Sequence, residues 1–320
     1  MPVAANRTSI RFHLYRNDRA MAVYLRPETL RDALTALADP ALTTSPPPID
    51  RLTVLAGGTD FYPTRTASTA WLRPAPRNVL DISGIEVLRD IRIEGAGVVF
   101  GALATWTDIC RAELPPAFDG LKRAAREVGG VQVQNRGTIA GNICNASPAA
   151  DGAPPLLTLD AEVVLASLRG ERRVPLSAYI TGNRKTERAA DELVIAIRVP
   201  RPAPGARSTF LKLGARAYLV ISIASVAALV EAAGDGTIAR AAIAVGACSA
   251  VPQRLSALER AITGQPATID IARLVQAEHL GHLSPLDDVR GSASYRRDAA
   301  LVLVRRALAD CVMPGQRAAA

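Results

Sequence analysis

A short apolar run, Leu52-Thr53-Val54-Leu55, leads straight into Ala56-Gly57-Gly58-Thr59-Asp60. β-Branched and aliphatic residues ended by turn formers read as a buried strand and the turn that closes it. Paired glycines make positive φ cheap and let another group come close to the main chain. Upstream, Met21–Leu25 predicts a strand. Pro27 then starts a helix in which Leu30, Ala33, Leu34 and Leu37 follow the i, i+3, i+4, i+7 pattern, and Asp39-Pro40 ends it. Strand, helix and strand make a small βαβ unit, so the two strands run parallel. Residues 1–20 show no periodicity and read as an N-terminal tail. The three prolines between Thr43 and Ile49 mark a loop.

A second glycine turn, Gly137-Thr138-Ile139-Ala140-Gly141-Asn142, runs on into Asn145-Ala146-Ser147-Pro148-Ala149-Ala150-Asp151. Consecutive backbone N–H groups in such turns form anion-binding concavities. Thr138, Asn142 and Ser147 add donors, and Asp151 is an acceptor for a sugar hydroxyl or the cap of a following helix. Either turn alone is compatible with an ordinary polar loop. Together they suit a long ligand with a pyrophosphate at its middle. Neither has the lysine of a Walker loop or the Gly-x-Gly-x-x-Gly spacing of a nicotinamide-binding Rossmann unit.

Between and beyond these turns, strands are expected at Asn78–Ile82, Ile91–Ile93, Val98–Phe100, Glu162–Ser167 and Leu193–Val199. Helices are expected at Thr105–Arg111, Phe118–Val128 and Pro154–Leu159. The Pro- and Gly-rich stretch Arg201–Ser208 is the best boundary, dividing the chain into 21–204 and 205–315. After it, strands at Thr209–Leu213, Val220–Val230 and Ala239–Val245 precede helices at Ser256–Ile262, Ile269–His279 and Tyr295–Asp310. That order indicates α+β architecture.

The chain has 320 residues, enough for two cores, and 49% are hydrophobic. Its net charge of +8 raises nucleic acid as a partner, but the arginines are scattered and no basic run is interleaved with aromatics, so that class is set aside. The four cysteines (Cys110, Cys144, Cys248, Cys311) form no Cys-x-x-Cys pair, so no metal site is expected in this chain. Cys144 reads as a small packing residue. The three histidines (His13, His279, His282) fit no metal pair, and no nucleophile elbow is present, so no catalytic residue is assigned. No leader-like segment and no run of about 20 apolar residues appears, and a cytoplasmic location is the expectation. Scarce side-chain chemistry beside glycine-rich loops fits a protein whose reactivity belongs to a bound cofactor.

The ordered set Ala56–Asp60, Gly101-Ala102-Leu103-Ala104-Thr105, Gly137–Asn142 and Ala146–Asp151 resembles the FAD-binding, or medium, subunit of the molybdenum hydroxylases, the xanthine dehydrogenase and carbon monoxide dehydrogenase family. The likeness continues through Asp191-Glu192-Leu193-Val194, Phe210–Arg216 and Ser294-Tyr295-Arg296-Arg297. It implies a two-subdomain FAD-binding fold of the vanillyl-alcohol-oxidase/PCMH type: a small βαβ unit plus a larger mixed sheet with helices. A C-terminal three-stranded antiparallel sheet with three helices is expected to follow. It implies FAD held by Ala56, Gly57, Gly58, Thr59 and Asp60 and by Thr138, Ile139, Gly141 and Asn142. Gly101, Ala102 and Thr105 are expected to line the same cleft, with Ser147 beside it, Asp151 at the ribose, and Leu193 and Lys212 near the ends of the cofactor. It also implies partner subunits, a large one with molybdopterin and a small one with [2Fe–2S] clusters, and NAD or another electron acceptor. A stand-alone FAD-dependent oxidoreductase of the same fold is the alternative. Val220 departs from the family, whose members often carry a polar or aromatic residue there, close to the flavin ring.

Overall fold

A computed structural model describes residues 13–15, 22–43, 51–71 and 78–312. The chain opens with β1 (His13–Tyr15), β2 (Ala22–Leu25), α1 (Leu30–Leu37), α2 (Pro40–Thr43), β3 (Thr53–Leu55), α3 (Phe61–Ala70) and β4 (Val79–Asp81). Thr29 caps α1 by accepting from the Asp32 N–H, and Ala33, Leu34 and Leu37 form the buried face. The four strands make one sheet in the order β1-β2-β4-β3. β2 and β3 run in the same direction, as expected of a βαβ unit, but they are not neighbours. β4 lies between them, parallel to both, and all three of its residues are buried. The tail expected over 1–20 contains β1, which pairs antiparallel with β2. A three-residue edge strand is too short to register as periodicity. Residues 44–50, most of the expected proline loop, lie outside the described residues.

The chain continues through β5 (Ile91–Glu94), β6 (Gly97–Gly101), α4 (Trp106–Arg111), α5 (Asp119–Glu127), α6 (Val131–Gln134), α7 (Ile139–Asn145) and α8 (Ala153–Thr158). Then come β7 (Glu162–Ser167), β8 (Gly170–Pro175), α9 (Leu176–Tyr179), β9 (Ile180–Gly182), β10 (Lys185–Thr186) and β11 (Leu193–Pro200). The larger sheet has the order β5-β6-β11-β7-β8. It is antiparallel throughout, which corrects the expectation of a mixed sheet. The reason is that β11 returns from far along the chain to lie between β6 and β7, antiparallel to both, while β5–β6 and β7–β8 are hairpins. Phe100, Phe118, Leu121, Ile139, Ile143, Leu156, Val163 and Ile197 are completely buried beneath it. Each such side chain contributes about 1.5–3 kcal/mol.

The last part comprises β12 (Arg207–Leu213), β13 (Ala224–Ala232), β14 (Ile238–Gly246), β15 (Gln253–Arg254), α10 (Ser256–Ile262) and α11 (Ala293–Val312). The expected three-stranded meander is present and gains the two-residue β15 at its edge. Both of its faces are covered. Leu229, Ala242 and Ala244 join the core of the preceding half. Their alternates Ala228, Val230, Ala241, Ile243 and Val245 join a second core with α10 and α11.

Two elements differ from expectation. The strand expected from Val220 begins at Ala224, because residues 214–222 form a loop with Leu219 at φ +53°. The helix expected over Ile269–His279 is two 3₁₀ segments, Ile269–Leu274 and Ala277–Leu280. They are separated by Val275 and Gln276, both with extended backbone, which ends the first segment and starts the second in a new direction. Among the described residues no helix is long and apolar enough to cross a membrane.

Candidate functional site

The first glycine turn, the start of α7 and the start of β11 surround one cleft of ≈ 760 Å³, a size suited to a cofactor. Of the residues expected to bind, Ala56, Gly57, Gly58, Thr59, Asp60, Ala102, Thr138, Gly141, Asn142 and Leu193 line it. Gly101, Thr105, Ile139, Ser147, Asp151 and Lys212 do not.

The two turns meet at the backbone. A Cβ on Gly57 would lie 1.9 Å from the Arg136 carbonyl oxygen, so only glycine allows this approach. Gly58 sits at φ +77°, which side-chain-bearing residues rarely adopt. Across this first turn the N–H groups of Gly57, Gly58, Thr59 and Asp60 find no acceptor among the described residues. Successive unpaired N–H groups around a residue of positive φ make a nest for an anion.

The second turn is more occupied. The Gly137 N–H donates to Val133 O (2.6 Å), Ile139 to Ala104 O (3.0 Å) and Asn142 to Thr138 O (3.0 Å). Thr138 caps α7 by accepting from the Gly141 N–H at 3.0 Å. Trp106 lies behind it, 1% exposed, its N–H donating to Gly137 O at 3.2 Å. Within this dry corner Asn142 Oδ1 is buried with no hydrogen-bond partner. A buried acceptor left unpaired is costly, and Asn142 lines the cleft, so it is ready for a ligand donor.

Several cleft residues were not singled out from the sequence. Asn145 Nδ2 donates to Asp60 Oδ1 at 2.8 Å, and Arg184 in turn donates to Asn145 Oδ1. Arg188 also lines the cleft, with its guanidinium donating to Glu192 O at 2.5 Å. Arg184 lies within the β9–β10 turn, which the Gly182-Asn183 dipeptide signals, and Arg188 follows β10. Cys144 borders the cleft as an exposed residue, with its Sγ 3.5 Å from the Oη of buried Tyr179. Although the residue as a whole is exposed, its thiol is surrounded by protein, and that burial pushes it up, away from thiolate reactivity.

The expected residues that lie off the cleft make the following contacts. Gly101 packs where a Cβ would fall 2.3 Å from Leu88 O. Thr105 caps α4 in a capping box with Asp108. Ile139 is core, 0% exposed. Asp151 and Lys212 pair with each other at 2.6 Å, both buried. Burial pushes the Asp151 carboxyl up, and Lys212 and Ser222 pull it back. Val220 is half-buried, with its Cγ1 against Gly214.

Residues 16–202 match the family described as the FAD binding domain in molybdopterin dehydrogenase. Residues 209–311 match the CO dehydrogenase flavoprotein C-terminal domain. The chain is 33% identical over 221 residues to the nicotinate dehydrogenase FAD-subunit of Eubacterium barkeri, covering 68% of this chain and 73% of that one. It is 30% identical to the glyceraldehyde dehydrogenase medium chain of Sulfolobus acidocaldarius, over 90% of this chain and 97% of that one. The fold is similar to a solved carbon monoxide dehydrogenase chain from Hydrogenophaga pseudoflava, with a TM-score of 0.78 and 28% identity, covering 90% of this chain and 96% of that chain.

Proposed function

The chain belongs to the FAD-binding medium subunits of the molybdenum hydroxylase family, and from that premise we propose that it relays electrons between a small partner subunit carrying [2Fe–2S] clusters and NAD or another acceptor. A large molybdopterin-binding partner oxidises the substrate. The relatives named as FAD-subunit and medium chain support the heteromeric reading, and the cleft supports the cofactor. When bound, FAD supplies a centre able to exchange electrons singly and in pairs.

The residues of this chain hold and orient that cofactor. The single observation that carries the assignment is the run of four unpaired N–H groups from Gly57 to Asp60, in a turn that a Cβ would break open. These donors suit the pyrophosphate. Asn142 Oδ1 has the unmet acceptor capacity for a donor on the ligand. Leu193 (2% exposed) and Val194 (4% exposed) give the cleft an apolar wall that keeps water from the bound rings. Arg184 and Arg188 place positive charge on a lining whose one carboxylate is Asp60, favouring a polyanionic ligand. The two matched families meet between residues 202 and 209, which supports dividing the chain into 21–204 and 205–315.

The protein purified from expression in a flavin-replete host should be yellow and release FAD on denaturation. Colourless protein that FAD cannot reconstitute would overturn the reading. Electron delivery is tested by adding the reduced small subunit and following flavin bleaching. Turnover of a small substrate by this chain alone would instead favour a self-contained flavin oxidoreductase.

A further inference from the structure

We propose that Trp106 contacts the cofactor, its indole N–H donating to a hydroxyl of the sugar-type chain next to the pyrophosphate; this builds on the FAD reading above. Trp106 is 1% exposed and yet lines the cleft. Its ring lies along the second glycine turn and the segment after it. A Cβ on Gly137 would stand 3.3 Å from Trp106 Cδ1, and a Cβ on Gly152 would stand 2.4 Å from Cη2 and 3.1 Å from Cζ2. Nε1 sits between Cδ1 and Cζ2 on that edge of the indole, so its N–H faces the gap between the two glycines.

That N–H is unmet. The main-chain N–H of Trp106 donates to Gly137 O at 3.2 Å, but the indole N–H finds no acceptor among the described residues. Buried tryptophans ordinarily pair this donor, and a donor left unpaired costs free energy. Among the described residues, the side-chain nitrogen and oxygen atoms sealed off without a partner are Asn142 Oδ1, Ser225 Oγ and Arg296 Nε. The Trp106 nitrogen is unpaired but not sealed, so the sliver of this side chain left open to the cleft includes its N–H.

Position and chemistry identify the group it meets. The Cβ position on Gly137 is also 3.4 Å from Thr59 Oγ1 of the first turn, so Trp106 adjoins the nest that suits the pyrophosphate. Asn142 Oδ1 brings an acceptor to the same corner, 2.8 Å from the Cβ position on Gly152. A phosphate oxygen would satisfy the indole but leave Asn142 Oδ1 facing an anion. A hydroxyl accepts from the one and donates to the other. In FAD the pyrophosphate is flanked on both sides by hydroxylated chains, the ribityl chain and the ribose.

Nuclear magnetic resonance tests the contact on the full chain, because its only two tryptophans are Trp71 and Trp106. Trp71→Phe assigns the two indole N–H signals. FAD should shift the Trp106 signal and slow its exchange with solvent by about tenfold or more, while Trp71, 75% exposed, keeps its exchange rate. The same change with FMN places the ribityl hydroxyl at Trp106, and with ADP the ribose hydroxyl. An unchanged Trp106 signal in FAD-saturated protein would overturn the proposal. So would the full change with inorganic pyrophosphate alone, which marks a phosphate contact. Trp106→Phe should raise the Kd for FAD by about three- to tenfold in a fluorescence titration. The loss should be smaller when Asn142→Ala is already present, because one hydroxyl serves both side chains. Equal losses in the two backgrounds would assign the effect to packing and overturn the contact. A wild-type chain that takes up no FAD would sink the cofactor assignment and this contact with it, whereas FAD uptake with a static indole signal sinks the contact alone.

Discussion

The Gly57-Gly58 turn and the Gly137–Asn142 turn look alike as sequences, yet their backbones are used in opposite ways. The first keeps four consecutive N–H groups unpaired. The second directs the N–H groups of Gly137, Ile139, Gly141 and Asn142 inward. The first is a receptor for a ligand and the second is the buttress it leans on, with Gly57 pressed against the carbonyl of Arg136. Glycine serves the first turn by admitting positive φ and close approach. In the second, Gly137 keeps Val133 O and the Trp106 ring within contact distance.

Substitutions can break this contrast. Gly57→Ala should have the largest effect, because a Cβ 1.9 Å from Arg136 O forces the turns apart. FAD affinity should fall by about a hundredfold or more in a fluorescence titration, and affinity near wild type would show that the buttress is dispensable. Asn142→Ala separates ligand from scaffold. It removes a buried unpaired acceptor, so the cofactor-free protein should melt no lower than wild type, while FAD binding weakens by about tenfold. A lowered melting temperature without loss of affinity would assign Asn142 to the scaffold. Thr138→Ala should cost about 1 kcal/mol of stability through the lost cap of α7, with recovery in Thr138→Ser, as read by denaturant unfolding.

The smallest effect lies outside both turns and serves as a control. Arg172 hydrogen-bonds the buried Glu192 carboxylate and holds it below its ordinary value of 4.5. A depressed folded value means that this stabilisation is complete above pH 4.5 and is lost as pH falls through the folded value. Glu192→Gln should flatten that acid limb in unfolding curves, while FAD affinity at pH 7 stays the same.

Much of this site was legible because backbone requirements leave compositional marks. Gly57 and Gly58 after an apolar strand announced a turn with open donors, and Gly137–Asn142 announced its companion. Alternating apolar residues located β13 and β14. Side-chain partnerships across long separations left no such mark. Asp151 and Lys212 are 61 residues apart, and each alone reads as a free polar group beside a cofactor. Thr105 reads from the sequence as cleft lining, and its pairing with Asp108 three residues on as the cap of α4 is carried by the Thr-x-x-Asp spacing. α3 escaped because most of it is exposed, so it carries no apolar stripe. β4 took the central place between β2 and β3 through tertiary pairing that local spacing does not encode.

The two-faced sheet of β13 and β14 has a genetic consequence. Odd and even positions there answer to different cores, with Ala242 and Ala244 on one side and Ile243 and Val245 on the other. A codon inserted or deleted within β14 would send the branched side chains into a space built for alanine and the alanines into a space built for branched chains. Lineages of this gene should therefore vary in length at the Gly234-Asp235-Gly236 turn, where a Cβ on either glycine meets open space, and stay fixed in length across the strand that follows it.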